Sequence, residues 1–115
     1  MGLFGFGKNK EKLLNQDKEL LALNMQLMDQ AINICAGGND EKKELYLKRL
    51  NDVKEVLSAF EPFDETGVIN VDKKVNEQLK IFVQTLDAAS GAITGEVKAA
   101  LTELQDAVYA RNDVE

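Results

Sequence analysis

Residues 13–35 have the sequence LLNQDKELLALNMQLMDQAINIC, and this stretch decides the fold class. Its large apolar residues recur every seven positions in two adjacent series: Leu14, Leu21, Met28, Cys35 and Leu13, Leu20, Leu27, Ile34. That period places both series side by side on one stripe of an α-helix. Gly37 and Gly38 follow, and glycine readily adopts the positive φ at which many helices end. We therefore predict a first helix over about residues 11–36.

The next two stretches have the same helical period. Asn39 or Asp40 is suited to begin a second helix, because a short polar side chain accepts the free N–H groups of the first turn. Pro62 ends that helix, since proline disfavours helical geometry in the residue before it. Spacings of four and three alternate in two further series: Tyr46, Leu50, Val53, Leu57, Phe60 and Val75, Leu79, Phe82, Leu86, Ala89. They predict helices over about 40–61 and 71–90, with residues 61–70 as the connection.

The last part of the chain has two interpretations. Gly91 can end the third helix, and Thr94 can cap a fourth helix over about residues 95–111. The fourth apolar stripe would be Val97, Leu101, Leu104 and Val108. However, Ile93 lies four residues from both Ala89 and Val97, so the apolar stripe continues through the turn. One bent helix over 71–111 is the alternative, although its two interior glycines would cost about 1 kcal/mol each relative to alanine.

We prefer the break, which predicts an all-α fold. The expected architecture is an up-and-down antiparallel bundle of four helices, and the alternative is three helices with a long bent last helix. A chain of 115 residues fits one domain, which we place at residues 11–112. Residues 1–10 are expected to form a flexible apolar and basic tail, and residues 113–115 a short C-terminal tail.

Composition excludes several classes of function. The net charge is −6 and the basic residues are spread along the chain, whereas nucleic-acid binding needs a clustered basic face. The sequence contains no run of 18 apolar residues, so we expect no transmembrane helix. A signal peptide places positive charge before its apolar stretch, and here the order is reversed. We therefore expect a cytoplasmic protein.

The chain has no histidine and a single cysteine. Serine and cysteine nucleophiles usually rely on a neighbouring imidazole, and zinc sites favour cysteine and histidine ligands. Cys35 lies on the apolar stripe, so we predict that it is buried and structural. Asp17 and Asn24 border the first stripe, and we interpret both as edge positions. We accordingly predict no catalytic residue, no cofactor and no metal site.

Residues 63–72, FDETGVINVD, resemble the centre of an EF-hand calcium loop. Gly67 matches the glycine of the sharp turn in that family, and this alignment places Pro62 at the first ligand position and Lys73 at the last. Calcium requires oxygen ligands, and the family has an acidic residue first and a glutamate last. We therefore predict no calcium binding, and we assign Asp64 and Thr66 to local turn or cap hydrogen bonds.

Residues 2–12, GLFGFGKNKEK, form the most distinctive segment. Its candidate contact residues are Leu3, Phe4, Phe6, Lys8, Lys10 and Lys12. The apolar side chains would enter a membrane interface while the lysines meet anionic headgroups, each contributing about 1 kcal/mol. Alternatively, the segment folds back onto the bundle, contacts a second copy of the chain, or remains a mobile tail.

We expect a non-enzymatic helical interaction or scaffold module that binds a protein partner or itself. The alternative is a peripheral membrane-surface protein anchored weakly through residues 2–12. A bundle with an internal pocket for an apolar ligand also remains open, because helical bundles host many unrelated functions.

Overall fold

The computed structural model describes the backbone of residues 2–113 and the side chains of residues 10–113. Within these residues the chain forms four α-helices and no strand: α1 (Gly2–Gly37), α2 (Lys43–Ser58), α3 (Thr66–Ala88) and α4 (Gly95–Asp113). The predicted all-α, four-helix fold is confirmed, and the alternative with one long last helix is wrong.

The four helices form a bundle in which successive helices run in opposite directions. Helix α1 packs against α2 and α3, while α4 packs extensively against α3 and less against α2. Helices α2 and α3 therefore occupy opposite corners, and the connection of residues 59–65 crosses one end of the bundle diagonally. Helices α1 and α3 are parallel neighbours, because Asn24 bonds to Asn76 near one end while Ile34 lies beside Gly91 at the other.

Most residues of the predicted apolar stripes form one core, whereas Leu13 and Leu20 of the first stripe are only partly buried and lie outside it. The fully buried side chains include Met28, Leu50, Val75, Leu79, Phe82, Leu86, Val97, Leu101 and Leu104. Leu14 departs from the prediction, because 40% of its surface is exposed. It precedes Asp17, which lies opposite the connection of residues 59–65, so Leu14 lies beyond the end of the packed bundle.

Helix boundaries differ from the prediction where packing or propagation extends a helix. Helix α3 begins at Thr66 instead of about residue 71, because Val68 and Ile69 in its first turn are buried. The extended backbone of Glu65 precedes it, and the Ile69 N–H donates to the Glu65 carbonyl. Helix α1 begins at Gly2 instead of about residue 11. Extending an existing helix adds one hydrogen bond per residue without a second nucleation step.

Helix α2 is shorter than predicted at both ends. Its first residue is Lys43, and the Asp40 carboxylate accepts the Lys42 N–H at 2.8 Å just before it. The other oxygen of Asp40 accepts the Ile93 N–H at 2.9 Å, which joins the two turns at this end of the bundle. Both bonds favour the ionised form and lower the pKa of Asp40. At its C-terminus the helix ends at Ser58, before Pro62 is reached.

The backbone of the turn between α3 and α4 packs directly against the backbone at the C-terminal end of α1. Gly91 has a φ of +85°, and a Cβ at this position would lie 2.7 Å from the Ile34 carbonyl oxygen. A Cβ on Gly38 would likewise lie 2.9 Å from the Gly91 carbonyl oxygen. The Val97 N–H donates to the Thr94 hydroxyl at 3.1 Å, so Thr94 caps α4 as predicted.

Candidate functional site: a buried polar cluster

Five polar side chains are buried together at the end of the bundle that the connection of residues 59–65 crosses. They are Asp17 and Asn24 of α1, Asp72 and Asn76 of α3, and Arg111 of α4. Asp17 and Arg111 are 0% exposed, Asn24 and Asp72 are 1% exposed and Asn76 is 7% exposed. Buried polar groups are costly unless they are paired, so the contacts of this cluster determine the stability of this end of the bundle.

Arg111 joins α4 to α3 and to the connection. Its Nε donates to Asp72 Oδ1 at 2.7 Å, and its Nη2 donates to the Glu61 carbonyl oxygen at 2.6 Å. The guanidinium also lies 4.7 Å from the ring centre of Phe60 and 5.1 Å from that of Phe63. A planar cation suits this position, because it forms directed hydrogen bonds and stacks on aromatic rings.

The polar side chains of α1 join that helix to the same region. Asp17 Oδ2 accepts the Phe63 N–H at 2.8 Å. Asn24 Nδ2 donates to the Asp72 backbone carbonyl at 3.3 Å, while Asn24 Oδ1 accepts from Asn76 Nδ2 at 2.9 Å. Both helices and the connection are therefore linked through one hydrogen-bonded network.

Two carboxylate oxygens of the cluster have no hydrogen-bond donor, namely Asp17 Oδ1 and Asp72 Oδ2. Burial and the nearby Asp17 carboxyl raise the pKa of Asp72 to about 7. Arg111 opposes this shift, but the sum of desolvation and like-charge repulsion is larger.

This cluster corrects our interpretation of Asp17 and Asn24 as edge positions, because both are fully buried. The signal was the alternation of four and three, which runs through Asp17, Leu21, Asn24, Met28, Ala31 and Cys35. The same spacing extends the third stripe from Val75 back to Asp72. It also extends the fourth stripe from Val108 to Arg111. One further step along the third and fourth stripes reaches Asp72 and Arg111, and Asp17 lies within the first stripe, four residues before Leu21.

Of the residues that we predicted as contacts, the two whose side chains are described lie apart from this cluster. Lys10 and Lys12 are exposed on α1, before its packed part begins. Leu3, Phe4, Phe6 and Lys8 lie outside the residues whose side chains are described. The structure therefore brings none of the described contact residues into the buried site.

Cys35 is 1% exposed, which confirms that it is a buried residue. Burial is the main cause that raises the pKa of its thiol, and the nearby Lys43 opposes the shift. A thiol with a raised pKa is a poor nucleophile at neutral pH.

Metal-site geometry is not found in the part of the chain whose side chains are described: no three histidine, cysteine, aspartate or glutamate residues there are grouped to hold an ion. The stretch that resembles the EF-hand centre also differs from a loop, because Thr66 and the residues after it belong to α3. Over residues 2–113, no helix combines the length and the apolar content needed to cross a bilayer.

The fold and the site define an all-α four-helix bundle with an apolar core and one polar, buried end. No protein-family model, curated protein or solved structure matches the chain.

Proposed function

We propose that this protein is a non-enzymatic, cytoplasmic interaction module. It binds a protein partner or a second copy of itself through the segment of α1 that precedes Asp17, which we call the α1 extension (residues 2–16). The supporting observation is a difference in length. Helix α1 has 36 residues whereas its parallel neighbour α3 has 23, which correspond to about 54 Å and about 35 Å at the usual helical rise.

The described part of the α1 extension is exposed. Residues 10–12 and 14–16 are solvent-exposed, and Leu13 is only partly buried. Leu14 has 40% of its surface exposed. In the sequence, Leu3, Phe6 and Leu13 follow one another at intervals of three and seven residues. This is the spacing with which an amphipathic helix enters a groove or pairs with another helix.

The first experiment measures self-association by sedimentation equilibrium over a range of concentrations. Leu14→Asp places a charge on the α1 extension, and Ile81→Asp is the matched control, because Ile81 is 48% exposed on the side of the packed bundle. We expect Leu14→Asp to shift the protein toward the monomer without lowering its melting temperature, and Ile81→Asp to leave the association unchanged.

If the wild-type protein is a monomer at every concentration, the same two variants are used for affinity capture from the native cell. We then expect one partner to be recovered with the wild type and with Ile81→Asp but not with Leu14→Asp. Equal self-association and equal capture by all three proteins would reject the α1 extension as the binding surface.

A second candidate function is weak attachment to an anionic membrane surface through residues 2–12. Two observations favour it: the helical backbone continues to Gly2, and Lys10 and Lys12 are exposed. Amphipathic helices with lysines on the polar face bind the interface in this way.

The membrane hypothesis predicts co-sedimentation with anionic vesicles that weakens at high salt. Phe4→Ser combined with Phe6→Ser is expected to abolish this binding and leave the melting temperature unchanged. A lower melting temperature would instead assign these phenylalanines to the core or to an oligomer contact. Equal recovery in the supernatant with and without vesicles would exclude membrane binding.

A further inference from the structure

We propose that Asp17 and Asp72 hold a single proton between them in the folded protein, and that its loss at rising pH loosens the end of the bundle crossed by residues 59–65. This site lies inside the bundle and is independent of the α1 extension. It would make the packing of α1 on α3 sensitive to pH.

The hydrogen bonds leave one oxygen of each carboxyl group available to the proton. Asp17 Oδ2 is occupied by the Phe63 N–H, and Asp72 Oδ1 is occupied by Arg111 Nε. The remaining oxygens, Asp17 Oδ1 and Asp72 Oδ2, are both buried and have no donor. Ionised carboxylates only accept hydrogen bonds, whereas a protonated one also donates. One proton between these two oxygens therefore gives each of them a partner.

The charges of the surrounding groups also favour one proton on the pair of carboxyl groups. The charged groups acting on Asp72 are Asp17 from α1 and Arg111 from α4. The connection faces the cluster with backbone groups, namely the Glu61 carbonyl and the Phe63 N–H. Two carboxyl groups that share one proton carry a single negative charge beside the guanidinium. Loss of the proton adds a second buried negative charge, which is strongly unfavourable.

The direction of the pH effect follows from the pKa of Asp72. Burial and the Asp17 carboxyl raise it from 3.8 to about 7 in the folded protein. Between these values the folded chain holds the proton and the unfolded chain does not, so stability falls as pH rises. One proton corresponds to about a tenfold loss in the folding equilibrium constant per pH unit, and the loss levels off above the folded pKa.

The composition of the chain makes this titration easy to isolate. The sequence has no histidine, and ordinary carboxyl groups have pKa values of about 4. The thiol of Cys35 titrates at higher pH, because its pKa is raised from 9.0. Between about pH 5 and about pH 7 the shared proton is the main titration that we expect to differ between the folded and unfolded chains.

The test is urea unfolding of the full chain at several pH values between about 5 and about 8, the range below and above the raised pKa. In Asp72→Asn the amide takes the place of the protonated carboxyl and can donate to Asp17 Oδ1. We expect wild-type stability to fall across this range and the stability of Asp72→Asn to stay nearly constant. Asp106→Asn is the control, because Asp106 is exposed on α4, and it should keep the wild-type slope.

Direct titration of the wild-type carboxyl carbons by nuclear magnetic resonance removes any dependence on the folding of the variant. A carboxyl with a midpoint near neutral pH supports the proposal, as does faster exchange of the Phe63 amide above that midpoint after correction for intrinsic base catalysis. If every carboxyl titrates below about pH 5, as unperturbed groups do, the proposal is wrong. A slope shared by the wild type and Asp72→Asn would also overturn it.

Discussion

Replacement of Arg111 by methionine tests whether the buried cluster holds the bundle together. Methionine keeps an unbranched apolar chain in the same space, so Arg111→Met mainly removes the positive charge and its hydrogen-bond donors. The Asp72 Oδ1 and the Glu61 carbonyl then lose their donors. The contacts of the guanidinium with Phe60 and Phe63 are also lost.

The expected magnitude follows from the complete burial of Arg111. Removing one partner of a buried ion pair typically costs about 3–5 kcal/mol, because the other charge remains buried without compensation. Since domains of this size are stable by about 5–15 kcal/mol, a large share of the stability would be lost. The loss should be larger at about pH 8 than at about pH 5, because Asp72, whose pKa is raised to about 7, is protonated at the lower pH and leaves less buried negative charge without its guanidinium.

The measurement is urea unfolding followed by far-ultraviolet circular dichroism at both pH values. Arg49→Met is the matched control, since Arg49 is exposed and its guanidinium lies 4.9 Å from the ring centre of Tyr46. An exposed contact of this kind contributes about 0.5–1 kcal/mol. If Arg111→Met destabilises the protein no more than Arg49→Met does, the buried cluster contributes little and the reasoning fails.

Two further predictions concern the other end of the bundle. Gly91→Ala should destabilise the protein by at least about 1–2 kcal/mol, the cost of a left-handed backbone for a residue with a Cβ. Gly95→Ala is the control and should not destabilise it, because a Cβ on Gly95 meets no atom within 4 Å. Equal melting temperatures of the two variants would contradict this prediction. Cys35 should react slowly with a thiol reagent in the folded protein and quickly after denaturation, and Cys35→Ala should cost about 1 kcal/mol or more. Rapid labelling of the folded protein would show that the thiol is exposed and would reopen a catalytic role.

The helices and the last turn were predictable because their signals are local. Apolar spacing identified every helix, and the chemistry of Gly91 and Thr94 marked the break between α3 and α4. The start of α3 was not predictable from the turn-forming residues around Gly67. Burial of Val68 and Ile69 against other helices extends that helix, and tertiary packing of this kind overrides the weak helix propensity of a turn-forming segment.

The buried cluster was missed for a different reason. An aspartate beside an apolar stripe is usually solvated, and its burial becomes intelligible only when a partner is known. The partners of Asp72 lie 39 residues away at Arg111 and 48 residues away at Asn24. The spacing alone places Asp17, Asp72 and Arg111 on the stripes, but it does not show that the three stripes meet at one end of the bundle.

The diagonal connection of residues 59–65 also has a consequence for the speed of folding. Because it carries the chain to the opposite corner, the most extensive interface joins α1 to α3, and its hydrogen bonds link residues 48 and 52 positions apart. Each such contact requires closure of a long loop, whose entropic cost precedes any gain from packing. The hairpin of α1 and α2 closes a shorter loop and can form earlier. We therefore expect this chain to fold more slowly than a bundle of equal size whose spatial neighbours are all consecutive in sequence.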